Sequence, residues 1–403
     1  MASSHAHNIK ITPQPSVKNG DTTGDFQTAR TAIVSSAHAI HDTYAGFIAP
    51  LLPFLVERLS LLKVEAGVFL LFYQGASILQ PLIGHLADKS NLRKFALIMP
   101  AITGITLSLL GTAPTYFMAI MYSLVAGISS ASLHAILPAL VGTLSGKQLG
   151  KGMSFWMVGG EIGVMLGPLM VTFMISTFSI ESTPWLMIPG ILMSIVLSIL
   201  LKGIPHHNSG NHRNSKAPVK KMTLIMLPLA GIVVMRVLLR TASEIYLPIF
   251  MLEKGANIWL AGISLTILQG FGVAGTIAGG FMKDRYGFKA VMLMSIVFAS
   301  IGMLIFVGAN GALMIASLAL MGAASMMVLP VGMSFIQEQF PENRSLANGY
   351  YLAMLFAINA VGGVITGFLY DQIGGYQTFL LSAPIGLLGI PFVFLLPREK
   401  DLK

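Results

Sequence analysis

The 403-residue sequence contains no cysteine and few charged residues. Without cysteine, the chain can form no disulfide and offers no thiol for catalysis or metal binding. Only 10% of the residues are charged, whereas a soluble protein of this length carries about a quarter. Because 54% of the residues are hydrophobic and the mean hydropathy is +0.76, the chain must bury its surface in lipid. The composition excludes an ordinary soluble protein and predicts an all-helical integral membrane protein.

Apolar blocks long enough to cross a bilayer recur along the chain, each needing about 20 residues. We place twelve, near 32–56, 65–87, 94–112, 116–141, 153–177, 184–202, 223–250, 258–282, 288–308, 312–337, 346–370 and 376–396. The first 30 residues are polar and lack the apolar core of a signal peptide. The predicted parts are a disordered cytoplasmic tail (1–30), a six-helix bundle (31–202), a cytoplasmic linker (203–221), a second six-helix bundle (222–397) and a short cytoplasmic tail (398–403).

Lysine and arginine are distributed unevenly over the segments between these blocks. If the amino terminus is cytoplasmic, most of the 25 basic residues fall on the cytoplasmic side. This positive-inside bias predicts a multi-pass protein of the cell membrane with both termini in the cytoplasm. The bias also accounts for the net charge of +9, so we expect no nucleic-acid partner.

The two halves of the chain repeat each other. Pro53 and Pro248 are 195 residues apart, and other pairs share this spacing or differ from it by one residue. Parallel repeats of six helices are typical of transporters whose halves rock about a central binding site. In this register His41 corresponds to Arg236, so the first helix of each half carries an ionisable group at the same depth.

Ionisable residues occur in the apolar blocks, at a depth where they are costly and usually functional. His38, His41 and Asp42 lie on one helical face at positions i, i+3 and i+4. Imidazoles titrate near neutral pH, so this group suits a proton carrier. His134 in the fourth predicted helix and Glu161 in the fifth lie at a similar depth. We treat all five as proton-coupling candidates, although His134 could instead make an interhelical hydrogen bond and Glu161 could reach a polar partner.

The seventh predicted helix presents a polar stripe. Arg236, Arg240 and Glu244 recur every four residues. Arginine stays charged, and its planar group suits a carboxylate or a phosphonate. One interpretation is an anion-binding group that faces a cavity. The other is that Arg240 pairs with Glu244, while Arg236 is held by Asp42 or Glu161.

Two related motifs end the second and eighth predicted helices, each with a glycine, an aspartate four residues later and a basic residue beyond. They consist of Gly84, Asp88 and Arg93, and of Gly280, Asp284 and Arg285. Both resemble the signature of the major facilitator superfamily, where the motif latches and gates. The resemblance implies a fold of twelve transmembrane helices in two pseudo-symmetric halves of six.

A third motif lies in the fifth predicted helix, where glycines four residues apart allow close helix packing and precede a proline. Its residues are Gly159, Gly163, Gly167 and Pro168. It resembles a motif associated with exporters of the superfamily. His38 with Asp42, and His134 after two serines, resemble runs in the fosmidomycin-resistance exporters over about residues 32–396. Departures from that pattern, such as the extra His41, leave the substrate open.

These expectations describe a monomeric, proton-coupled antiporter that exports a small anionic or drug-like molecule by alternating access. Protons would load Asp42 and weaken its hold on Arg236, so that carboxylate and substrate compete; Tyr44 is a further substrate-binding candidate. A proton-coupled importer of a small organic anion would use the same groups, and a membrane sensor is a remoter alternative. No paired nucleophile and base, phosphate loop or zinc motif is visible, so we predict no enzymatic activity, no cofactor and no metal.

Overall fold

The computed structural model describes residues 26–89, 93–145, 149–201, 219–340 and 344–397. Over these residues the chain is almost entirely helical and contains no strand. Within these ranges, twelve long helices follow one another, several of them built from two pieces. The predicted linker falls largely outside the described residues, as does most of the predicted amino-terminal tail; the carboxy-terminal tail falls wholly outside them.

The first half contains helices α1 to α6. Helix α1 comprises Thr28–Ala45 and Ile48–Arg58; α2 comprises Lys63–Gly75, a 3₁₀ turn at Ala76–Leu79, and Gln80–Lys89; α3 is Arg93–Leu110; α4 is Tyr116–Ser145; α5 is Leu149–Thr177; and α6 is Met187–Leu200, preceded by the 3₁₀ turn Ile180–Leu186. Helix α1 thus begins two residues before the predicted end of the tail.

The second half contains helices α7 to α12. Helix α7 comprises Val219–Thr241, a π-helical turn at Ala242–Tyr246, and Leu247–Glu253; α8 is Ile258–Tyr286; α9 is Phe288–Gly308; α10 comprises Gly311–Met326 and Val328–Gln339; α11 is Arg344–Ile373; and α12 comprises Gly375–Leu387 and Ile390–Leu395. Helix α7 takes up the last three residues of the predicted linker, since basic side chains at a helix end can extend to the membrane surface.

Eleven of the twelve helices are long and apolar enough to cross a membrane, and α3 contributes a shorter apolar helix, Phe95–Leu110. Each predicted apolar block therefore corresponds to one helix. Hydropathy alone could find these elements because a lipid-spanning helix must satisfy its own backbone hydrogen bonds and cover them with apolar side chains.

The buried apolar side chains show how the two halves meet. At the end of the bundle farthest from the interhalf linker, one cluster contains residues of both halves, including Phe47 and Phe250. Toward the linker, each half has a cluster of its own, one around Trp156 and the other around Phe335. The bundle is therefore closed at the linker-distal end and divided at the other.

Polar contacts join the halves at the same closed end. The Asp371 carboxylate at the end of α11 accepts hydrogen bonds from the backbone N–H groups of Lys63 and Val64, at 3.0 and 2.8 Å. These groups begin α2 in the other half. The Tyr246 hydroxyl lies 2.9 Å from the Lys63 carbonyl oxygen and 2.8 Å from that of Gly363. A carboxylate at a helix N-terminus is favourable because the backbone N–H groups there lack helical partners.

Candidate functional site

Helix α5 packs directly against α1 through the glycine motif. A Cβ atom at each glycine would overlap a carbonyl oxygen of α1, with Gly159 against Ser35, Gly163 against Ala39 and Gly167 against Thr43. Pro168 lies beside Gly46, where the two pieces of α1 meet. The motif therefore brings the two backbones into contact, as the four-residue spacing predicts. This packing places the ionisable face of α1 against α5.

Three ionisable side chains converge at this junction. His38 Nε2 lies 3.0 Å from Asp42 Oδ2 and 3.0 Å from His134 Nε2, and His134 Nε2 lies 3.6 Å from Asp42 Oδ1. His38 and Asp42 are buried, and His134 is partly buried. Helical spacing predicts that His38 and Asp42 share a face and that His134 lies at a depth similar to that of Asp42, and the structure brings all three together.

Backbone contacts fix the protons on both imidazoles. His38 Nδ1 lies 2.8 Å from the carbonyl oxygen of Trp156, and His134 Nδ1 lies 2.9 Å from that of Ser130. A carbonyl oxygen can only accept, so both Nδ1 atoms must carry hydrogen. The two Nε2 atoms and the Asp42 carboxylate would then be three acceptors without a donor. A further proton shared among them would make this close approach favourable.

His41 takes a different position. It is fully buried, and neither ring nitrogen has a hydrogen-bond partner among the described residues. Its ring meets that of His134 edge-on, with ring centroids 5.9 Å apart. His41 therefore borders the cluster of His38, Asp42 and His134 without bonding to it.

Glu161 lies between this cluster and a cavity in the other half. The cavity is lined by Glu161 together with residues of α7, α10 and α11. Glu161 lies within electrostatic range of Asp42 on one side and of Arg240 and Glu244 on the other. Asp42 and the Arg240–Glu244 pair are about 200 residues apart in the sequence, and the Glu161 carboxylate interacts electrostatically with both.

The second half lines the cavity with the predicted polar stripe of α7. Arg240 Nε donates to Glu244 Oε2 at 2.9 Å, and Glu244 lies in the π-helical turn, a feature frequent at functional sites. Arg236 Nη2 donates to Ser295 Oγ at 3.1 Å. Ser325 also lines the cavity, and its buried hydroxyl has no partner within the described part of the chain. These groups offer a cationic, hydrogen-bonding wall.

Two expectations about contacts need correction. Asp42 pairs with His38 and His134 rather than with Arg236, because the α1–α5 packing directs it into its own half. Tyr44 does not line the cavity. It is buried, and its hydroxyl binds the Leu186 carbonyl oxygen and the Gly190 N–H at 2.8 and 2.7 Å, so it ties α1 to α6.

The gating motifs lie at helix ends. Gly84 and Asp88 belong to the last turns of α2, Arg93 begins α3, and Gly280 and Asp284 lie near the end of α8. The side chains of Asp88, Arg93 and Asp284 are outside the described part of the structure. The guanidinium carbon of Arg285 lies 5.4 Å from the centroid of the Tyr286 ring. The latching role of these residues stays a prediction.

Sequence reasoning missed two residues that shape the cluster of His38, Asp42 and His134. Trp156 stacks on His38 with ring centroids 3.7 Å apart, and Gly160 leaves the space that His38 and Asp42 occupy. Both lie on one face of α5, four residues apart. The four-residue spacing of Trp156 and Gly160, just before Glu161, was the sequence signal for these two residues. An aromatic residue in an apolar helix is common, however, and carries little information alone.

Metal binding uses the same donor types. Among the described residues, His38, Asp42 and His134 form a group whose donor atoms lie within 4.8 Å of one another. Imidazole and carboxylate are donor types that can hold a divalent ion, and a proton shared among the three acceptors would compete with that ion. The expectation that no metal is bound stays a prediction.

Comparisons with known proteins agree on the family. The sequence matches the Major Facilitator Superfamily over residues 34–287 and 229–403. It is 24% identical over 381 residues to the fosmidomycin resistance protein of Escherichia coli K12, covering 91% of this chain and 93% of that protein. It is also 24% identical over 387 residues to the uncharacterized MFS-type transporter YfnC of Bacillus subtilis 168, covering 92% and 93%.

Solved structures share the fold. The nucleoside transporter NupG, as its D323A mutant, superposes with a TM-score of 0.74 at 18% identity, covering 91% of this chain and 99% of that one. A D-xylose–proton symporter gives a TM-score of 0.72 at 16% identity, covering 94% and 100%. At these identities the likeness concerns the fold.

Proposed function

The chain belongs to the major facilitator superfamily, and on that premise we propose that it is a proton-coupled secondary transporter exporting a small anionic or drug-like molecule by antiport. The observation that carries this proposal is the convergence of three acceptors, on the buried His38 and Asp42 and on the partly buried His134, beside a cavity that arginines line. Ionisable side chains at membrane depth are energetically costly and usually functional, and proton transfer is a function that would use these three.

Whether protonation promotes or opposes substrate binding decides which residue can exchange substrate for a proton. If a proton freed Arg236 from a carboxylate, protonation would promote anion binding, which is the behaviour of a symporter. Antiport requires that proton and substrate compete for one group. Glu161 is the acidic residue that both lines the cavity and lies within electrostatic range of Asp42. We therefore assign the competition to Glu161, with the cluster of α1 and α4 supplying its proton.

The cavity wall suggests what the substrate carries. Arg236 and Arg240 suit an acidic group through charge-assisted hydrogen bonds. Glu161 suits a hydrogen-bond donor or a positive group, which protonation of the carboxylate would release. With the linker on the cytoplasmic side, the closed end faces outward and the site is reached from the cytoplasm. This is the state in which an exporter takes up its substrate.

Export direction is supported by likeness. The fosmidomycin resistance protein of Escherichia coli carries resistance in its name, and efflux of a drug is one way to confer resistance. The glycine motif of α5 adds a resemblance to exporters. We extend to this chain the expectation of efflux from the cell across its inner or plasma membrane, by a monomer, without enzymatic chemistry.

The test uses inside-out membrane vesicles that hold a respiration-driven pH gradient, followed with a pH-sensitive dye. Fosmidomycin is added first, and then a panel of organic anions and cationic drugs. We expect at least one compound to collapse the gradient in wild-type vesicles and to have no effect in Asp42→Asn vesicles, because the neutral amide cannot carry the proton. Full proton-driven transport by Asp42→Asn would contradict the proposal. Proton-driven uptake of the compound into intact cells would favour the importer.

A further inference from the structure

Helix α5 forms a socket around His38. The Trp156 indole lies flat on the imidazole, with ring centroids 3.7 Å apart and planes at 9°. The Trp156 carbonyl oxygen lies 2.8 Å from His38 Nδ1. One turn later, a Cβ atom at Gly160 would lie 2.5 Å from His38 Cε1 and 2.9 Å from Asp42 Oδ2. The ring face, the Nδ1 edge and the Cε1 edge of His38 thus all rest on α5.

These contacts leave one nitrogen for proton exchange. Because Nδ1 donates to a backbone carbonyl, Nε2 is the atom that can gain or lose a proton. Nε2 is also the atom that lies 3.0 Å from both Asp42 and His134. We propose that Trp156 is a positioning residue that, with the space left by Gly160, holds His38 in the Nδ1–H tautomer and aims Nε2 at Asp42 and His134. The inference rests on the proposed proton site.

The socket also connects the proton site to the cavity. Glu161 follows Gly160 directly, about 100° further round α5, and lines the cavity. A movement of α5 that changes the cavity would therefore move the socket, and the Nε2 position with it. The other titratable groups around His38 are Asp42 and His41 on its own helix, His134 on α4, Glu161 on α5, and Tyr73 on α2, which lies within electrostatic range of Asp42.

Trp156 can report on this site without any substrate. The chain has three tryptophans, and Trp185 and Trp259 are 69% and 40% exposed, so both can be replaced by phenylalanine. An imidazolium stacked on indole quenches its fluorescence, whereas neutral imidazole quenches it much less. In purified protein with EDTA present, we expect Trp156 emission to fall reversibly on acidification. His38→Gln in the same background should abolish this response.

The positioning role is tested by changing the ring. Trp156→Phe keeps an aromatic face, whereas Trp156→Leu removes it. Trp156→Leu keeps the carbonyl oxygen that binds Nδ1 but removes the ring that holds the imidazole against it. In ¹⁵N-histidine spectra, we therefore expect this variant to reduce the preference of His38 for the Nδ1–H tautomer by about two- to tenfold, the free energy of an aromatic pair of this geometry. Trp156→Phe should restore it. The pH dependence of gradient collapse should be shifted in Trp156→Leu and should match wild type in Trp156→Phe. Loss of packing alone would not produce this pattern.

Two results would overturn the inference. One is that Trp156 emission does not respond to pH in the protein that keeps His38, or that it still responds to pH in His38→Gln. The other is an unchanged His38 tautomer in Trp156→Leu. A normal fluorescence response in a protein that moves no tested compound would keep the socket and contradict the export proposal, so the two failures are distinguishable.

Discussion

At the scale of single residues, hydrogen bonding distinguishes histidines that look alike in the sequence. His38 and His134 each satisfy Nδ1 through a backbone carbonyl and present Nε2 to Asp42. His41 lies one turn from His38 with both nitrogens buried and without partners among the described residues. Helical spacing predicts that His38, His41 and Asp42 share one face of α1. Which groups each side chain contacts depends on how α4 and α5 pack against that face.

The first prediction concerns His41. A buried polar group without a partner costs about 1–3 kcal/mol, so His41→Leu should raise the thermal unfolding temperature in detergent by several degrees. A lowered temperature would show that the ring makes contacts beyond those described. The same variant tests the relay candidate in the vesicle assay. Loss of gradient collapse in a stabilised protein would place His41 in the proton pathway, and unchanged collapse would remove it.

At the scale of helices, the α1–α5 contact positions the site. The glycines of α5 let its backbone touch α1, and this approach places Trp156 and Gly160 against His38. In a bilayer, apolar surfaces gain little from meeting each other, so close backbone packing holds helices together. The glycine motif thus has a structural role here that precedes any role in transport direction.

A substitution in this contact should be costly. A Cβ atom at Gly163 would overlap the Ala39 carbonyl oxygen, and overpacking of this kind costs about 1–3 kcal/mol. We expect Gly163→Ala to lower the thermal unfolding temperature. The matched control is Gly349→Ala in α11, where a Cβ atom meets nothing within 4 Å; this variant should unfold at the wild-type temperature or slightly above it. Equal effects of the two substitutions would contradict the packing account.

Sequence predicted the helices better than their irregularities. Twelve apolar blocks gave twelve helices because lipid imposes length and hydropathy on each segment independently. The break of α1 at Gly46 and the π-helical turn at Ala242–Tyr246 were not predicted, since both depend on what packs alongside. For the same reason, the depth of Asp42 in the membrane was predictable, because depth follows from position along one helix. The predicted pairing of Asp42 with Arg236 was wrong, because pairing depends on how the helices of the two halves cross.

At the scale of the whole molecule, the arrangement of the core defines a closed end and a divided end. One apolar cluster crosses both halves at the linker-distal end, and separate clusters occupy the other end. Alternating access requires the crossing cluster to part. The Asp371 carboxylate, which accepts from two backbone N–H groups of α2, is a contact that must break in that step.

Asp371→Asn should weaken the closed end, because the amide nitrogen cannot accept a hydrogen bond and the charge at the start of α2 is lost. The cysteine-free chain permits spin labels at Pro114 and Asn310, in exposed turns of the two halves. We expect double electron–electron resonance to show a larger population with a longer distance in Asp371→Asn.

The control is Glu65→Gln, which removes a charge at the same helix start. Glu65 accepts the Leu62 N–H at 2.8 Å within its own half, so its loss should leave the distance distribution unchanged. Identical distributions in wild type and Asp371→Asn, or an equal shift in both variants, would show that the contact across the halves does not hold this end closed.

The central claim is that proton and substrate compete through Glu161, and the sign of proton exchange on binding tests it most directly. Purified protein in weakly buffered detergent is mixed with the compound that collapses the gradient, and the pH is followed with an indicator dye. We predict proton release on binding in wild type and none in Glu161→Gln, with binding of the compound retained. Proton uptake on binding would contradict the account and assign the protein to symport.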